Sequence, residues 1–129
     1  MLKVEGIDHV ALVVRDVERS IRWYGDVLGL ERRYDDVWGE VPAFVGAGTT
    51  ALALFPVRDG EAQPPPGRNT IAMLHLAFRV DAAGFRHAKE ELGRRGIAWE
   101  FQDHQISHSI YFEDPDGHQL EITTYEVSR

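Results

Sequence analysis

Residues 7–14 read Ile-Asp-His-Val-Ala-Leu-Val-Val, and residues 73–80 read Met-Leu-His-Leu-Ala-Phe-Arg-Val. Short runs that are rich in Val, Leu, Ile and Phe predict β-strands. An aspartate follows each run, Asp16 after the first and Asp81 after the second, and Asp is a preferred residue at a helix N-cap. A segment with helical periodicity comes next in both places. The chain is therefore predicted to use the same strand-and-helix pattern twice.

A nearly constant spacing relates the two copies. His75 lies 66 residues after His9, and Gly96 lies 67 residues after Gly29. Both glycines follow the predicted helices, where a left-handed C-terminal residue is common. Each predicted helix is followed by three short strand candidates, at residues 30–37, 42–45 and 50–55 in the first copy and at residues 97–102, 107–113 and 118–125 in the second. Each copy is thus predicted to be a βαβββ module.

The repeat also sets the expected domain organisation. It predicts an α+β fold made of two tandem modules, residues 5–56 and 72–127, joined by a linker at residues 57–71. The linker contains a Pro-Pro-Pro-Gly run that continues neither a strand nor a helix. Because a module of about 60 residues buries little apolar surface by itself, we expect one domain, residues 1–129. Its modules would share a core, within one chain or between chains.

Composition and charge exclude several classes of function. The 129 residues include 14 Lys and Arg against 21 Asp and Glu, which gives a net charge of −7. Such a chain lacks the cationic surface that general nucleic-acid binding needs. No apolar run approaches the roughly 20 residues that cross a bilayer, and no secretory signal precedes the first strand. We therefore expect a cytoplasmic protein that binds neither nucleic acids nor membranes.

Histidines are the first candidates for metal ligands, because the chain has six of them and no cysteine. Alternate residues of a strand face opposite sides of a sheet. In both copies the large apolar residues fall on one side, and His9 and His75 fall on the other, concave side. A single histidine on a strand is more often structural than metal-bound. Two histidines at equivalent positions of a repeat favour metal binding.

Glu121 supplies a third candidate ligand. It lies between Leu120 and Ile122 on the last predicted strand, so it faces away from the apolar side. Burial of an unpaired carboxylate is costly, and a metal ion would remove that cost. His9, His75 and Glu121 would form a set of two histidines and one carboxylate, which suits divalent iron or manganese and leaves positions for a substrate. The alternative is a solvated Glu121 at the rim of the sheet.

The order of these motifs resembles that of one protein family. The first copy opens with Asp8-His9-Val10, and the second ends with Tyr-Phe-Glu-Asp-Pro-Asp-Gly-His-Gln-Leu-Glu at residues 111–121. With the two βαβββ copies, these motifs resemble the vicinal oxygen chelate superfamily over the whole chain. That superfamily includes glyoxalase I, extradiol dioxygenases, fosfomycin-resistance transferases and bleomycin-resistance proteins. The resemblance implies the glyoxalase/bleomycin-resistance/dioxygenase fold, with a curved mixed sheet, and a divalent metal on His9, His75 and Glu121.

The number of ligands separates the chemistries of that superfamily. Glyoxalase I enzymes generally add a Glu from the last strand of the first copy, but residues 51–55 are all apolar here. Fosfomycin transferases bring cations to a phosphonate, and Phe101 stands where a cation would help. Both activities are therefore disfavoured, although a lyase, isomerase or transferase with three protein ligands stays open. Bleomycin-type proteins bind drugs without a metal, so the three ligand positions argue against that non-enzymatic alternative.

The C-terminal segment is most similar to that of extradiol dioxygenases. Those enzymes carry a His, a Tyr and a Pro-containing turn before the ligand Glu, a pattern that His104, Tyr111 and Glu121 match. The resemblance implies that Tyr111 contacts a metal-bound substrate oxygen and that His104 steers a proton. We therefore expect a ring-cleaving dioxygenase that acts on a small catechol-like molecule. Fe²⁺ is the preferred ion, with Mn²⁺, Zn²⁺, Ni²⁺ or Co²⁺ as alternatives. An ordinary strand aromatic is the alternative for Tyr111.

The resemblance also bears on assembly. Members of the superfamily commonly form dimers, often with modules exchanged between chains. An open concave site leaves a sheet edge exposed, and exposed edges promote pairing with another chain. We therefore expect a homodimer of the 14.6 kDa chain.

Overall fold

The computed structural model describes residues 1–128, which divide into two compact units. The first unit spans Met1–Gln63, and the second begins at Pro64. The first contains β1 (Val10–Val14), α1 (Val17–Leu28), β2 (Glu31–Arg33), α2 (Asp35–Trp38), β3 (Ala43–Ala47) and β4 (Thr50–Pro56). The second contains β5 (Leu76–Arg79), α3 (Ala82–Arg94), β6 (Glu100–Asp103), β7 (His108–Glu113) and β8 (Gln119–Thr124).

Each unit forms a four-stranded mixed sheet. The strand order is β1-β4-β3-β2 in the first unit and β5-β8-β7-β6 in the second. In both sheets the first strand runs parallel to the last strand, whereas the remaining pairs are antiparallel. The predicted α+β fold class with two tandem βαβββ modules is confirmed.

The two long helices begin and end where the sequence predicts. The Asp16 side chain accepts a hydrogen bond from the Arg19 amide at 3.0 Å, and Asp81 accepts one from the Gly84 amide at 2.7 Å. At the other end, Gly29 adopts a φ of 68°, which glycine tolerates better than other residues. Within residues 1–128, no helix combines the length and the apolar character that a membrane span requires.

One predicted strand is partly wrong. The apolar pattern of residues 30–37 predicts a continuous strand, but β2 ends at Arg33 and the one-turn helix α2 begins at Asp35. The chain turns at Tyr34, whose φ of 62° lies in the left-handed region and cannot continue a strand. As a result, the side chains of Tyr34 and Trp38 approach each other, with ring centroids 5.2 Å apart.

The sheet face under each helix forms the core of each unit. In the first unit the buried apolar residues on this side are Val14, Tyr24, Leu30, Ala43, Val45, Leu52 and Leu54, whereas Phe44 and Ala53 are buried on the opposite face. In the second unit they are Phe85, Leu92, Ile110, Phe112, Leu120 and Ile122. α1 contacts β2, β3 and β4, and α3 contacts β8. The opposite face of each sheet carries polar, small and aromatic side chains, among them Phe44 in the first unit and Tyr111 in the second.

Candidate metal and substrate site

Glu121 lies in β8, with its side chain on the sheet face opposite to the helix. Its neighbours Leu120 and Ile122 are buried on the helix side, as strand alternation requires. Glu121 pairs with Ala77 of β5 and with Tyr111 of β7. Because only 7% of Glu121 is exposed, its carboxylate is not solvated at a rim. It lies against partners within the sheet.

Both oxygens of the Glu121 carboxylate have partners in the second unit. Nε2 of His75 lies 2.9 Å from Oε1, and the Ser109 hydroxyl donates to Oε2 at 2.5 Å. Ser109 is fully buried, and its Oγ lies 3.1 Å from the hydroxyl oxygen of Thr123, its partner across β7 and β8. The sheet register thus holds the carboxylate in one orientation, with Oε1 next to His75.

The donors of His75 and Glu121 fit a divalent cation. Neighbouring ligands of an ion with bonds of about 2.1 Å lie about 3 Å apart, which is close to the 2.9 Å between Nε2 and Oε1. Imidazole nitrogen and carboxylate oxygen are common ligands of divalent transition metals. Ser109 is placed where it would orient the Glu121 carboxylate if that carboxylate held an ion. Two of the three predicted ligands therefore lie together.

His9, the third predicted ligand, belongs to the first unit and lies just before β1. Its Nδ1 is 2.8 Å from Oδ2 of Asp8, and its ring centroid is 5.0 Å from that of Phe44. A hydrogen bond at Nδ1 orients the ring and leaves Nε2 for a metal. Across residues 1–128, no three His, Asp or Glu side chains converge closely enough to hold an ion. The full set of His9, His75 and Glu121 stays a prediction.

Tyr111 and His104, the two predicted catalytic residues, are in contact. Nε2 of His104 lies 3.0 Å from the Tyr111 hydroxyl. The Tyr111 ring meets the His75 ring edge-on, with centroids 5.6 Å apart. Burial raises the pKa of Tyr111 above the ordinary tyrosine value, and the charge of Glu121 raises it further. The hydroxyl is therefore protonated at neutral pH and is available as a hydrogen-bond donor beside the two metal-ligand candidates.

Phe101 does not occupy the polar face, contrary to expectation. It pairs with Ile110, and its ring contacts the rings of Phe85 on α3 and His108. The neighbouring residues Glu100 and Gln102 are the ones that pair with Tyr111 and Ser109 and share their face. The β6 strand thus brings a carboxylate and an amide to this face, and no cation. His108 lies on the helix side, as strand alternation predicts.

Ser109 is the functional contact that sequence reasoning missed. The sequence places Ser109 on the Tyr111 face, because two residues separate equivalent positions of a strand. It does not reveal that β7 and β8 pair in the register that sets Ser109 opposite Thr123 and beside Glu121. A hydroxyl on the strand next to a buried carboxylate is the signal that could have identified it.

A cavity of about 1110 Å³ lies on the His9 face of the first sheet. Four aromatic side chains line it, Tyr34, Trp38, Phe44 and Phe55. The ring centroids of the first three are between 5.1 and 5.8 Å apart. Ala51 and Ala53 of β4 contribute small side chains on the same face. The first unit therefore adds an aromatic-lined space beside one predicted metal ligand.

Comparison with known protein families identifies the relationship. The model of the Glyoxalase/Bleomycin resistance protein/Dioxygenase superfamily matches residues 6–122. The chain belongs to this superfamily. The match spans both βαβββ units and includes His9, His75 and Glu121, so the recognition that rested on sequence motifs is confirmed.

Individual members of the superfamily show how close the relationship is. A metallothiol transferase, FosB of Staphylococcus epidermidis, is 31% identical over 124 residues, which cover 94% of this chain and 84% of that protein. The crystal structure of a glyoxalase/dioxygenase from Nostoc punctiforme has a TM-score of 0.80 at 29% identity, covering 95% of this chain and 92% of that one. The fosfomycin resistance protein FosX of Mesorhizobium loti has a TM-score of 0.70 at 28% identity, covering 95% and 93%.

These superfamily members bear on whether the chain is a dioxygenase or a transferase. The sequence motifs alone favour a dioxygenase over the transferase alternative. The relative that is 31% identical is named a transferase, and a solved structure at 28% identity is named for fosfomycin resistance. The transferase alternative therefore has better support than the dioxygenase.

Proposed function

We propose that the chain is a metal-dependent enzyme that transfers a thiol to a small electrophilic substrate, with a divalent ion on His9, His75 and Glu121. The observation that carries the proposal is the distance of 2.9 Å between Nε2 of His75 and Oε1 of the buried Glu121. The similarity to FosB over 94% of the chain supports the transferase class. Fe²⁺, Mn²⁺ and Zn²⁺ are the ions to test first, because all three accept this donor set.

The chain's own residues have distinct roles in this proposal. When bound, the ion supplies Lewis-acid polarisation of a substrate oxygen. Ser109 holds the Glu121 carboxylate through its hydrogen bond to Oε2. Tyr111 donates a hydrogen bond to the substrate, and His104 orients the Tyr111 hydroxyl from 3.0 Å. Because the chain has no cysteine, the attacking sulfur must belong to a separate thiol molecule.

A ring-cleaving dioxygenase is the second candidate. The observation that favours it is the contact between His104 and Tyr111, the two residues that the sequence motif assigns to proton steering and substrate binding. In this alternative the same protein ligands hold Fe²⁺, and the substrate is a catechol. A thiol would then play no part in turnover.

The decisive experiment measures thiol consumption and oxygen uptake side by side. Purified protein is loaded anaerobically with Mn²⁺, Zn²⁺ or Fe²⁺, and then given glutathione or cysteine with fosfomycin as the first electrophile. We expect loss of free thiol that needs the ion, the electrophile and the protein together. Oxygen uptake with a catechol panel, without loss of thiol, would favour the dioxygenase instead.

Matched variants show whether the proposed ligands are correct. Glu121→Gln keeps the size of the side chain and removes its charge, so metal affinity should fall by more than about 100-fold, beyond the effect of losing an outer partner. Glu90→Gln is the control, because Glu90 is exposed on α3. Equal metal affinity in both variants would contradict the proposed site.

A further inference from the structure

The cavity of the first unit is lined by aromatic rings that the core does not need. Trp38 is 44% exposed and Tyr34 is 49% exposed, although burying such rings would be favourable. Both rings lie within 6 Å of the Phe44 ring, measured between centroids. Large aromatic faces that remain in contact with water around a concave surface are typical of ligand sites.

Ala51 of β4 is the small residue that opens to the cavity, because Ala53 and Gly46 are buried. One row across the sheet pairs Ala53 with Phe44, and the next pairs Ala51 with Gly46. Paired residues share a sheet face, so the aromatic wall stands beside positions with short or absent side chains. The space of about 1110 Å³ is ample for a ring system, since ligand pockets usually measure about 300–1,000 Å³.

A fixed guanidinium lies at the same cavity. Arg33 pairs with Phe44, and its Nη2 donates to the carbonyl oxygen of Gly48 at 3.0 Å. The guanidinium lies so close over Gly46 that a Cβ there would be 2.7 Å from Nη1. Within the part of the chain that the structure describes, Arg33 forms no ion pair. Its remaining N–H groups can therefore bind a planar oxyanion in a forked arrangement.

The other charged groups of the cavity form no ion pair with Arg33. Lys3 adds a second cation, and Glu5 and Asp8 are the carboxylates that line the space. Asp8 lies 2.8 Å from Nδ1 of His9, and neither carboxylate forms an ion pair with Arg33. Arg33, which pairs with Phe44 of the aromatic wall, therefore keeps its positive charge without a carboxylate partner.

We propose that this cavity binds a planar aromatic carboxylate, whose ring packs against the exposed rings of Tyr34 and Trp38 and beside Ala51 of β4. The carboxylate of the ligand pairs with Arg33. Binding needs only the first unit. The statement that such a molecule is the substrate rests on the proposed function, because the ring would then lie next to His9.

Three ligands of similar size test separately whether the aromatic ring and the negative charge are needed for binding. Binding is measured by titration calorimetry in the presence of EDTA, so that no metal takes part. 2-Naphthoate carries both the ring and the charge, 2-naphthylmethanol lacks the charge, and decahydro-2-naphthoate lacks the aromatic ring. We expect 2-naphthoate to bind at least about tenfold more tightly than either of the others, the amount that one charged hydrogen bond contributes. Equal binding of all three probes, or no binding of 2-naphthoate, would overturn the proposal.

Substitutions of Arg33 and Ala51 test whether 2-naphthoate binds at this cavity. Arg33→Gln should weaken 2-naphthoate by about tenfold or more and leave 2-naphthylmethanol unchanged, whereas Arg58→Gln, which removes an exposed arginine outside the cavity, should change neither. Ala51→Leu fills the space and should abolish binding of both aromatic probes, with circular dichroism as the check on folding. An Arg33→Gln protein that binds 2-naphthoate as the parent does would overturn the role of the guanidinium.

A last variant separates this proposal from the proposed function. Glu121→Ala should lose metal binding and keep full affinity for 2-naphthoate. If metal binding and thiol transfer are found but 2-naphthoate does not bind, only the cavity proposal is wrong. If 2-naphthoate binds as expected but no metal does, only the proposed function is wrong.

Discussion

The Ser109 hydroxyl donates a hydrogen bond to Oε2 of Glu121 at 2.5 Å, deep in the second sheet. This contact leaves Oε1 directed at His75, 2.9 Å away. A carboxylate that is oriented before an ion arrives loses less conformational freedom when it binds the ion. The Ser109 hydroxyl therefore fixes the orientation of the proposed metal ligand Glu121.

Removing that hydroxyl should weaken the metal site. We expect Ser109→Ala to lower metal affinity by about 10–100-fold, the usual effect of losing an outer partner of a ligand, while the stoichiometry stays the same. Ser107→Ala is the matched control, because Ser107 is also buried but does not contact Glu121. Competition with a chromophoric chelator measures both affinities. Similar values for the two variants would remove Ser109 from the site.

Removing the Tyr111 hydroxyl should affect turnover more than metal binding. Tyr111→Phe keeps the ring that packs against His75, so the fold and the metal affinity should be retained. The catalytic rate should fall by about 100-fold or more if the hydroxyl assists proton transfer. His104→Ala should lower the rate less, because His104 acts through Tyr111. A kcat that neither change alters would show that this pair lies outside the reaction.

The repeat and the strand alternation allowed much of the fold, and the shared sheet face of His75 and Glu121, to be predicted. Both features are local, so the positions of Asp16 and Glu121 follow from nearby residues. The register between strands is not local, and it alone brings Ser109 to Glu121 and turns Phe101 towards α3. Strand alternation places Ser109 on the Tyr111 face, but these two contacts depend on the register, because pairing energy is spread over whole strands.

The sequence does not decide whether Trp38 and Phe44 line a substrate pocket or pack in the core. Trp38 directly follows the predicted strand at residues 30–37, and an aromatic residue at such a position is at least as often part of a core. The left-handed Tyr34 converts that strand into a turn and the helix α2. A single backbone angle at a non-glycine residue has no clear signature in the sequence, so the exposed wall of Tyr34 and Trp38 is visible only in the structure.

Alanine substitution should lower the stability of the protein at Gly46 and raise it at Gly93. A Cβ at Gly46 would be 2.7 Å from the Thr50 carbonyl oxygen and from Nη1 of Arg33, so Gly46→Ala should destabilise the protein by about 1–3 kcal/mol through overpacking. Gly93 in α3 has open space around its Cα, so Gly93→Ala should stabilise by about 0.5–1 kcal/mol. Urea unfolding measures both changes, and a loss of stability in Gly93→Ala would contradict the account.

The ion pairs of Glu91 with Arg94 and Arg95, near the end of α3, should stabilise the protein at neutral pH and lose that effect in acid. Hydrogen bonds from Arg94, at 2.5 Å, and from Arg95, at 2.8 Å, lower the pKa of Glu91 below its ordinary value. The stabilisation is therefore fully present above the pKa of the unfolded chain and is lost as the pH falls through the lower, folded-state pKa. An NMR titration should show the Glu91 pKa rising in Arg94→Gln. An unchanged value would show that the pair is not formed in solution.

The sheet edges lead to the last prediction, which concerns assembly. β1 and β5 are the first strands in the order of their sheets, and each has a partner on one side within its unit. Met73, just before β5, is 76% exposed. Exposed edges beside apolar residues favour pairing with another chain, so we expect light scattering at micromolar concentration to give twice the mass of the 14.6 kDa chain. Met73→Lys should weaken this dimer, whereas Val41→Lys, which alters an exposed valine between α2 and β3, should not. A monomer in the parent protein would contradict the prediction.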